Sequence, residues 1–65
     1  MRGETIAATV KRLRMQRAAA LLAETSLPVA TTARRCGYDH VASFSWSFAG
    51  VHGTSPGRYR REGSH

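Results

Sequence analysis

The sequence predicts an all-α fold, and three observations support this prediction. Residues 4–25 are rich in Ala, Leu, Met, Arg and Gln, which are strong helix formers, and they contain no Gly or Pro. Short stretches that contain Gly or Pro divide the remainder into further helical segments. Hydrophobic residues make up 42% of the 65 residues, which indicates a folded unit and not a disordered basic tail. A chain of this length forms one small domain, which excludes a multidomain enzyme.

The first predicted helix, over residues 4–25, carries two apolar stripes on nearly opposite sides. The first stripe consists of Ile6, Val10 and Leu13. The second stripe consists of Met15, Ala18 and Leu22, and it is rotated from the first by roughly 145° about the helix axis. Either these stripes are accidental on an Ala-rich helix, or the helix connects two packing units of which this chain contains the second.

A short helix and a tight turn follow. Residues 28–36 predict a helix that begins at Pro28 and ends before Gly37, which can adopt the positive φ that terminates a helix. Ala33 is small where two helices must approach each other, and Tyr38 supplies an apolar anchor after the turn. This spacing alone is a weak signal, because many helical hairpins share it.

The next predicted helix covers residues 40–51, with Asp39 as its cap and Gly53 at its end. Its core face is predicted to contain Val41, Phe44, Phe48 and Val51. The opposite face contains Ala42, Ser43, Trp46, Ser47 and Gly50. A Trp among small residues on the outward face is a candidate contact surface.

The last predicted helical turn begins at Ser55-Pro56 and reaches Arg61. It carries the densest group of positive charges, formed by Arg58, Arg60 and Arg61. The whole chain has ten basic and four acidic residues, a net charge of +6, and all but one of the basic residues are Arg. Arg suits bidentate contacts to phosphate and guanine. A short helix, a tight turn and a second helix in a basic domain is the helix-turn-helix arrangement.

Several other classes of protein are excluded by the sequence. A single cysteine, Cys36, excludes an internal disulfide framework and a cysteine-based zinc site. The histidines at 40, 52 and 65 lack the spacing of metal ligands, so we expect no metal and no cofactor. Ser43, Ser45 and Ser47 near His40 do not form a catalytic triad pattern, and an enzyme is not predicted. No stretch is apolar enough to cross a membrane, and residues 1–4 lack a signal-peptide pattern, so a cytoplasmic location is expected.

Residues 10–61 contain a series of motifs that together point to one family. The motifs are Arg12-Leu13-Arg14-Met15-Gln16-Arg17-Ala18, Leu21-Leu22, Leu27-Pro28-Val29-Ala30, Ala33-Arg34-Arg35-Cys36-Gly37-Tyr38, Phe44, Phe48, Gly53-Thr54-Ser55-Pro56 and Tyr59-Arg60-Arg61. With these residues the chain resembles the AraC/XylS family of bacterial transcription regulators. The closing G-x-S-P-x-x-Y-R pattern, at its distance from the turn, is the most specific part of the resemblance.

The resemblance implies a domain organisation. The family's DNA-binding domain contains two helix-turn-helix units joined by a long helix. Gly3 and Thr5 precede Gly53 and Ser55 by 50 residues and resemble the remnant of a first unit's closing motif. The resemblance therefore implies that 1–25 is the connecting helix with this remnant, that 26–61 is the second unit and that 62–65 is a tail.

The resemblance also implies roles for individual residues. The base-facing positions of the recognition helix would be His40, Ala42, Ser43, Trp46 and Ser47, and Asp39 would cap that helix. Trp46 stands where an Arg is common in the family, and Ala49 and Gly50 replace a frequent basic pair. The residues that we expect to face phosphates are Arg34, Arg35, Arg58, Arg60 and Arg61. For Arg34 and Arg35 a solvated surface is the competing interpretation, and Cys36 is expected to be a small buried residue and not a redox sensor.

The sequence therefore predicts a transcription factor that binds duplex DNA sequence-specifically, with the helix over residues 40–51 in the major groove. Its partners would be double-stranded DNA and either a second copy of the chain or an N-terminal domain. The alternative is a protein-interaction fragment with weak or no DNA binding, which would use Trp46 and the stripe of Ile6, Val10 and Leu13. Dependence of binding on salt would separate the two hypotheses.

Overall fold

The computed structural model describes residues 5–62 as four helices without a strand. The helices are α1 (Ile6–Glu24), α2 (Val29–Arg35), α3 (Val41–His52) and α4 (Pro56–Arg61). The prediction of an all-α fold is confirmed. Gly3, which was assigned to the remnant of a first unit, and the tail beyond Glu62 lie outside the described residues.

Threonines stand at both ends of α1. The Oγ1 atom of Thr5 accepts a hydrogen bond from the backbone N–H of Ala8 at 3.0 Å, which is the geometry of an N-cap. At the other end the Thr25 hydroxyl donates to the carbonyl oxygen of Leu21 at 2.6 Å. These bonds mark the start and the end of the helix, which lie within one or two residues of the predicted bounds.

The core contains only the second of the two stripes on α1. Its fully buried members are Met15, Ala18, Leu22, Ala33, Cys36, Phe44 and Phe48. In the first stripe, by contrast, Ile6 is 84% exposed, Leu13 52% and Val10 39%. The C-terminal half of α1 therefore packs on the other helices, while its N-terminal half presents an uncovered apolar face.

The turn after α2 has the hydrogen bonds of a Schellman motif. The N–H of Tyr38 donates to the carbonyl of Ala33 at 2.9 Å, and the N–H of Gly37 donates to that of Arg34 at 3.0 Å. Gly37 has a φ of +91°, and a Cβ atom there would lie 3.2 Å from the guanidinium carbon of Arg14. The positive φ therefore favours glycine at this position, and a side chain there would also have to displace the end of the Arg14 side chain. The helix begins at Val29, one residue after the predicted start, because Pro28 has an extended ψ of 149°.

Two predictions about α3 are wrong. Its N-cap is His40, not Asp39, and no side chain accepts a capping hydrogen bond there. The first carbonyl of the helix, that of His40, accepts from the N–H of Phe44 at 3.1 Å. Asp39 lies one residue too early to reach the amides of the first turn.

The second error concerns the core face of α3. Phe44 and Phe48 are fully buried, as predicted, but Val41 and Val51 are each 43% exposed. They lie in the first and last turns of α3, where the packing is incomplete. The line of buried rings continues instead with His52, whose ring centroid lies 4.4 Å from that of Phe48.

α4 closes the domain as predicted. Ser55 is its N-cap, accepting from the N–H of Arg58 at 3.3 Å, and Pro56 occupies the first turn. Tyr59 packs edge-on against Phe48 with the ring centroids 5.3 Å apart. α3 and α4 are thereby held together through a cluster of aromatic rings.

Candidate nucleic-acid interface

The outward face of α3 is centred on Trp46, which is 83% exposed. This confirms that the indole does not belong to the domain's own core. Ala42, Ser43, Ala49 and Gly50 surround it and are also exposed, and Ser47 at the edge of the face is half-buried. Residues 40–57 contain no Asp, Glu, Lys or Arg, so this surface presents apolar and small polar groups only.

Two depressions lie along this face. The first, of about 320 Å³, lies at the N-terminal end of α3, and Arg34, Asp39, His40 and Ala42 are among its lining residues. This depression is lined both by Arg34 of α2 and by His40 and Ala42, two of the positions that were predicted to face bases. The second, of about 290 Å³, is lined by Trp46, Ala49 and Gly50 and is mainly apolar.

Arg34 and Arg35 are both exposed in the last turn of α2. Positive side chains are favourable there because the helix dipole places partial negative charge at the C-terminus. The helix dipole therefore stabilises their guanidinium groups, which remain accessible to an anion in solution. Arg34 is the better placed of the two, because it lines the depression that reaches α3.

The cluster of Arg residues in α4 serves more than one purpose. Arg58 forms an exposed ion pair with Glu62, with 2.9 Å between Nε and Oε2. Arg60 is half-buried, and its Nε donates to the carbonyl of Leu22 at 3.1 Å while Nη2 donates to that of Thr25 at 3.2 Å. Arg61 is exposed.

Arg60 therefore has a structural role, and the phosphate contact expected of it stays a prediction. The last carbonyls of a helix lack partners within it, and the last turn of α1 contains no basic residue of its own. Arg60, on α4, donates hydrogen bonds to two of the carbonyl oxygens at this end of α1, those of Leu22 and Thr25.

The remaining residues with possible chemistry have structural roles. Cys36 is 4% exposed, which confirms that it is a small buried residue. Burial raises the pKa of its thiol, and Coulombic attraction to Arg17 and Arg14 offsets only part of this increase. His52 covers the edge of the core, and its Nε2 donates to the carbonyl of Met15 at 3.1 Å.

Within residues 5–62 no group of three His, Cys, Asp or Glu residues is arranged to hold a metal ion. In the same part of the chain, no helix combines the length and apolar character needed to cross a membrane. The candidate site consists of the outward face of α3 together with the Arg side chains near it.

A short helix, a tight turn and an exposed second helix in a domain of charge +6 define a DNA-binding helix-turn-helix domain. A family model described as a helix-turn-helix domain, of the AraC type, matches residues 1–62. The chain belongs to this family, whose members are DNA-binding transcription regulators and not a class of enzymes.

The same conclusion comes from comparison with solved structures. The chain is similar to the C-terminal domain of AraT, a response regulator from Geobacillus stearothermophilus, with a TM-score of 0.89 and 40% sequence identity. The match covers 92% of this chain and 50% of that one, so the chain spans half the length of the AraT domain. A comparison with curated proteins gave no match.

The exposure of Trp46 leads to a prediction about stability. Replacing Trp46 with Ala is expected to change the free energy of unfolding by less than about 0.5 kcal/mol, because the ring makes no core contact. Urea unfolding of the two proteins measures this, and the emission of Trp46 should be that of an indole in water. A blue-shifted emission, or a clear loss of stability on replacement, would show that the ring is covered.

Proposed function

We propose that this domain binds duplex DNA by inserting α3 into the major groove, as one reading unit of a bacterial transcription regulator. The observation that carries this proposal is the exposed outward face of α3, beside the depression that Arg34 lines. A helix fits the major groove, and the uncharged face can approach the base edges while Arg side chains meet the phosphates.

The side chains divide into two groups in this proposal. The groups facing bases are those of His40, Ala42, Ser43 and Trp46, with Ser47 at the edge because it is half-buried. The groups facing phosphates are the exposed guanidinium groups of Arg34, Arg35, Arg58 and Arg61. Arg60 supports the interface indirectly, by holding α4 against the end of α1.

The first stripe of α1 supports a proposal about domain organisation. Ile6 and Leu13 are more than half exposed, and their apolar face is suited to packing against another folded unit. The chain spans half of the AraT domain that it resembles. We therefore propose that residues 1–25 connect this unit, residues 26–61, to a first helix-turn-helix unit that packs on Ile6, Val10 and Leu13. A second copy of the chain is the other candidate for covering this face.

The alternative function is protein interaction with little or no DNA binding. It is favoured by the exposure of two separate apolar surfaces, Trp46 on α3 and Ile6 on α1, at 83% and 84%. The net charge of +6 favours DNA as the partner, because DNA is negatively charged and is attracted to a basic domain.

The salt dependence of binding tests the proposed function. With three to five phosphate contacts, the logarithm of the binding constant for a mixed-sequence 24-base-pair duplex should fall against the logarithm of salt concentration with a slope of about −3 to −4.5. Fluorescence anisotropy of a labelled duplex measures this slope. The double replacement of Arg34 and Arg35 with Ala should make it shallower by about 2, since each lost contact removes about 0.9.

Lys11→Ala is the control, because it removes one positive charge from an exposed position in the N-terminal half of α1. It is expected to leave the slope unchanged. Binding that does not respond to salt would remove the electrostatic mechanism. If the folded domain binds no duplex but does bind another protein, this would support the alternative function, protein interaction.

A further inference from the structure

Gly50 lies in the last turn of α3, two residues before its end, without a structural reason for being glycine. Its φ is not positive, unlike those of Gly37 and Gly53, so the backbone conformation is open to any residue. A Cβ atom built on Gly50 would meet nothing within 4 Å. Glycine destabilises a helix interior relative to alanine. Neither the fold nor internal packing therefore accounts for the missing side chain.

The absent side chain leaves open space beside the indole. Trp46, Ala49 and Gly50 line a shallow, mainly apolar recess of about 290 Å³ on the face that we propose to enter the major groove. A longer side chain at position 50 would project into this space. We name the surface formed by these three residues the Trp46 recess.

The chemistry of the Trp46 recess limits what it can recognise. Guanine is read by paired donors such as those of Arg, whereas indole offers a single N–H donor and a large apolar surface. Thymine presents a C5-methyl group in the major groove, and it is the one unmodified base whose major-groove edge carries such a group. An apolar recess next to an aromatic ring is complementary to that methyl group.

We infer that the Trp46 recess receives the C5-methyl group of thymine and so gives this domain a preference for A·T base pairs. The inference rests on the proposed function and adds the base that the site selects. Charge complementarity favours DNA over a protein as the occupant, because the domain carries +6 and exposed Arg34 of α2 lines the neighbouring depression, where Asp39 supplies the one negative charge.

Replacing thymine with uracil isolates the methyl group, because the two bases differ in no other atom on the major-groove edge. The probes are two 24-base-pair duplexes of alternating A·T sequence, one with thymine and one with uracil in every such position. The full 65-residue chain is expected to bind the uracil duplex about fourfold more weakly, which corresponds to the burial of one methyl-sized group. Titration at constant salt gives both dissociation constants.

Two variants test whether the Trp46 recess is the origin of this ratio. Gly50→Leu should fill the recess, and Trp46→Ala should remove its aromatic wall, so each should bring the thymine-to-uracil ratio to about one. Both positions are exposed, so the unfolding midpoints in urea should not fall below that of the parent chain by more than a surface substitution allows. Val51→Ala is the matched control on α3 and should retain the fourfold ratio.

The outcomes separate the inference from the proposed function. Equal binding of the two duplexes, with the salt dependence intact, overturns the recess as a methyl reader and leaves DNA binding in place. A fourfold ratio that persists in folded Gly50→Leu also overturns it. If the folded chain binds neither duplex, the proposed function and the inference fail together.

Discussion

Replacement of Leu22 with Ala is expected to lower the free energy of unfolding by roughly 2–5 kcal/mol, the range for truncating a buried leucine. Leu22 is 1% exposed and lies in the core with Met15 and Ala18 of the same helix. At roughly 0.05–0.15 kcal/mol per residue, a domain of this size has a total stability of only about 3–10 kcal/mol. The variant should therefore lose a large fraction of the total stability of the domain, which urea titration followed by circular dichroism measures.

Leu13→Ala is the matched control, because it makes the same chemical change nine residues earlier on the same helix. Leu13 is 52% exposed, so its replacement should cost less than about 0.5 kcal/mol in the isolated domain. The pair of variants tests whether the two stripes of α1 have different partners. If both variants lost the same free energy of unfolding in a monomeric sample, this would contradict the exposed position of the first stripe.

Much of the fold follows from local sequence signals. Gly37 predicted the end of α2, and the Schellman hydrogen bonds with a φ of +91° show why glycine suits that position. Ser55 and Pro56 predicted the start of α4 through their positions at the cap and in the first turn. Of the two interpretations of the stripes on α1, the connecting helix is the one that predicted burial of the second stripe and exposure of the first. Each of these signals acts over one or two turns, so it can be recognised without the tertiary structure.

The wrong predictions concern features that depend on where a helix begins to within one residue, or on contacts between residues far apart in the sequence. A shift of one residue moved the cap of α3 from Asp39 to His40, which removed the side-chain hydrogen bond that Asp would have provided. Helical periodicity assigned Val41 and Val51 to the core, but it does not reveal where the neighbouring helices end. The bonds of Arg60 to Leu22 and Thr25 span 38 and 35 residues, and local sequence does not specify them.

The assignment of base-facing residues remains a prediction. The exposure of Trp46 supports it, because an aromatic side chain at the centre of an outward helix face is available for contact. The half-burial of Ser47 shows that the face is narrower than the helical projection indicated. The sequence therefore predicted the orientation of α3 well, and the width of its contact surface less well.

Arg60→Ala is expected to lower the free energy of unfolding by about 2 kcal/mol, while Arg61→Ala should leave it nearly unchanged. Hydrogen bonds from charged groups contribute roughly 1.5–3 kcal/mol each when they are shielded from water. Arg60 is half-buried and one of its two bonds is exposed, so we expect a loss near the contribution of a single shielded bond. Arg61 is exposed, and replacing it removes only a surface charge.

The two variants should show the opposite order in DNA binding. At a temperature where both are folded, Arg61→Ala should weaken binding to all duplexes alike and make the salt slope shallower by about 0.9, because it removes a phosphate contact. Arg60→Ala should bind nearly as the parent chain does, because its guanidinium group is occupied by α1. Weaker binding by a fully stable Arg60→Ala would instead show that Arg60 releases α1 and contacts DNA. The stability of this domain and its affinity for DNA are therefore expected to depend on different members of one Arg cluster.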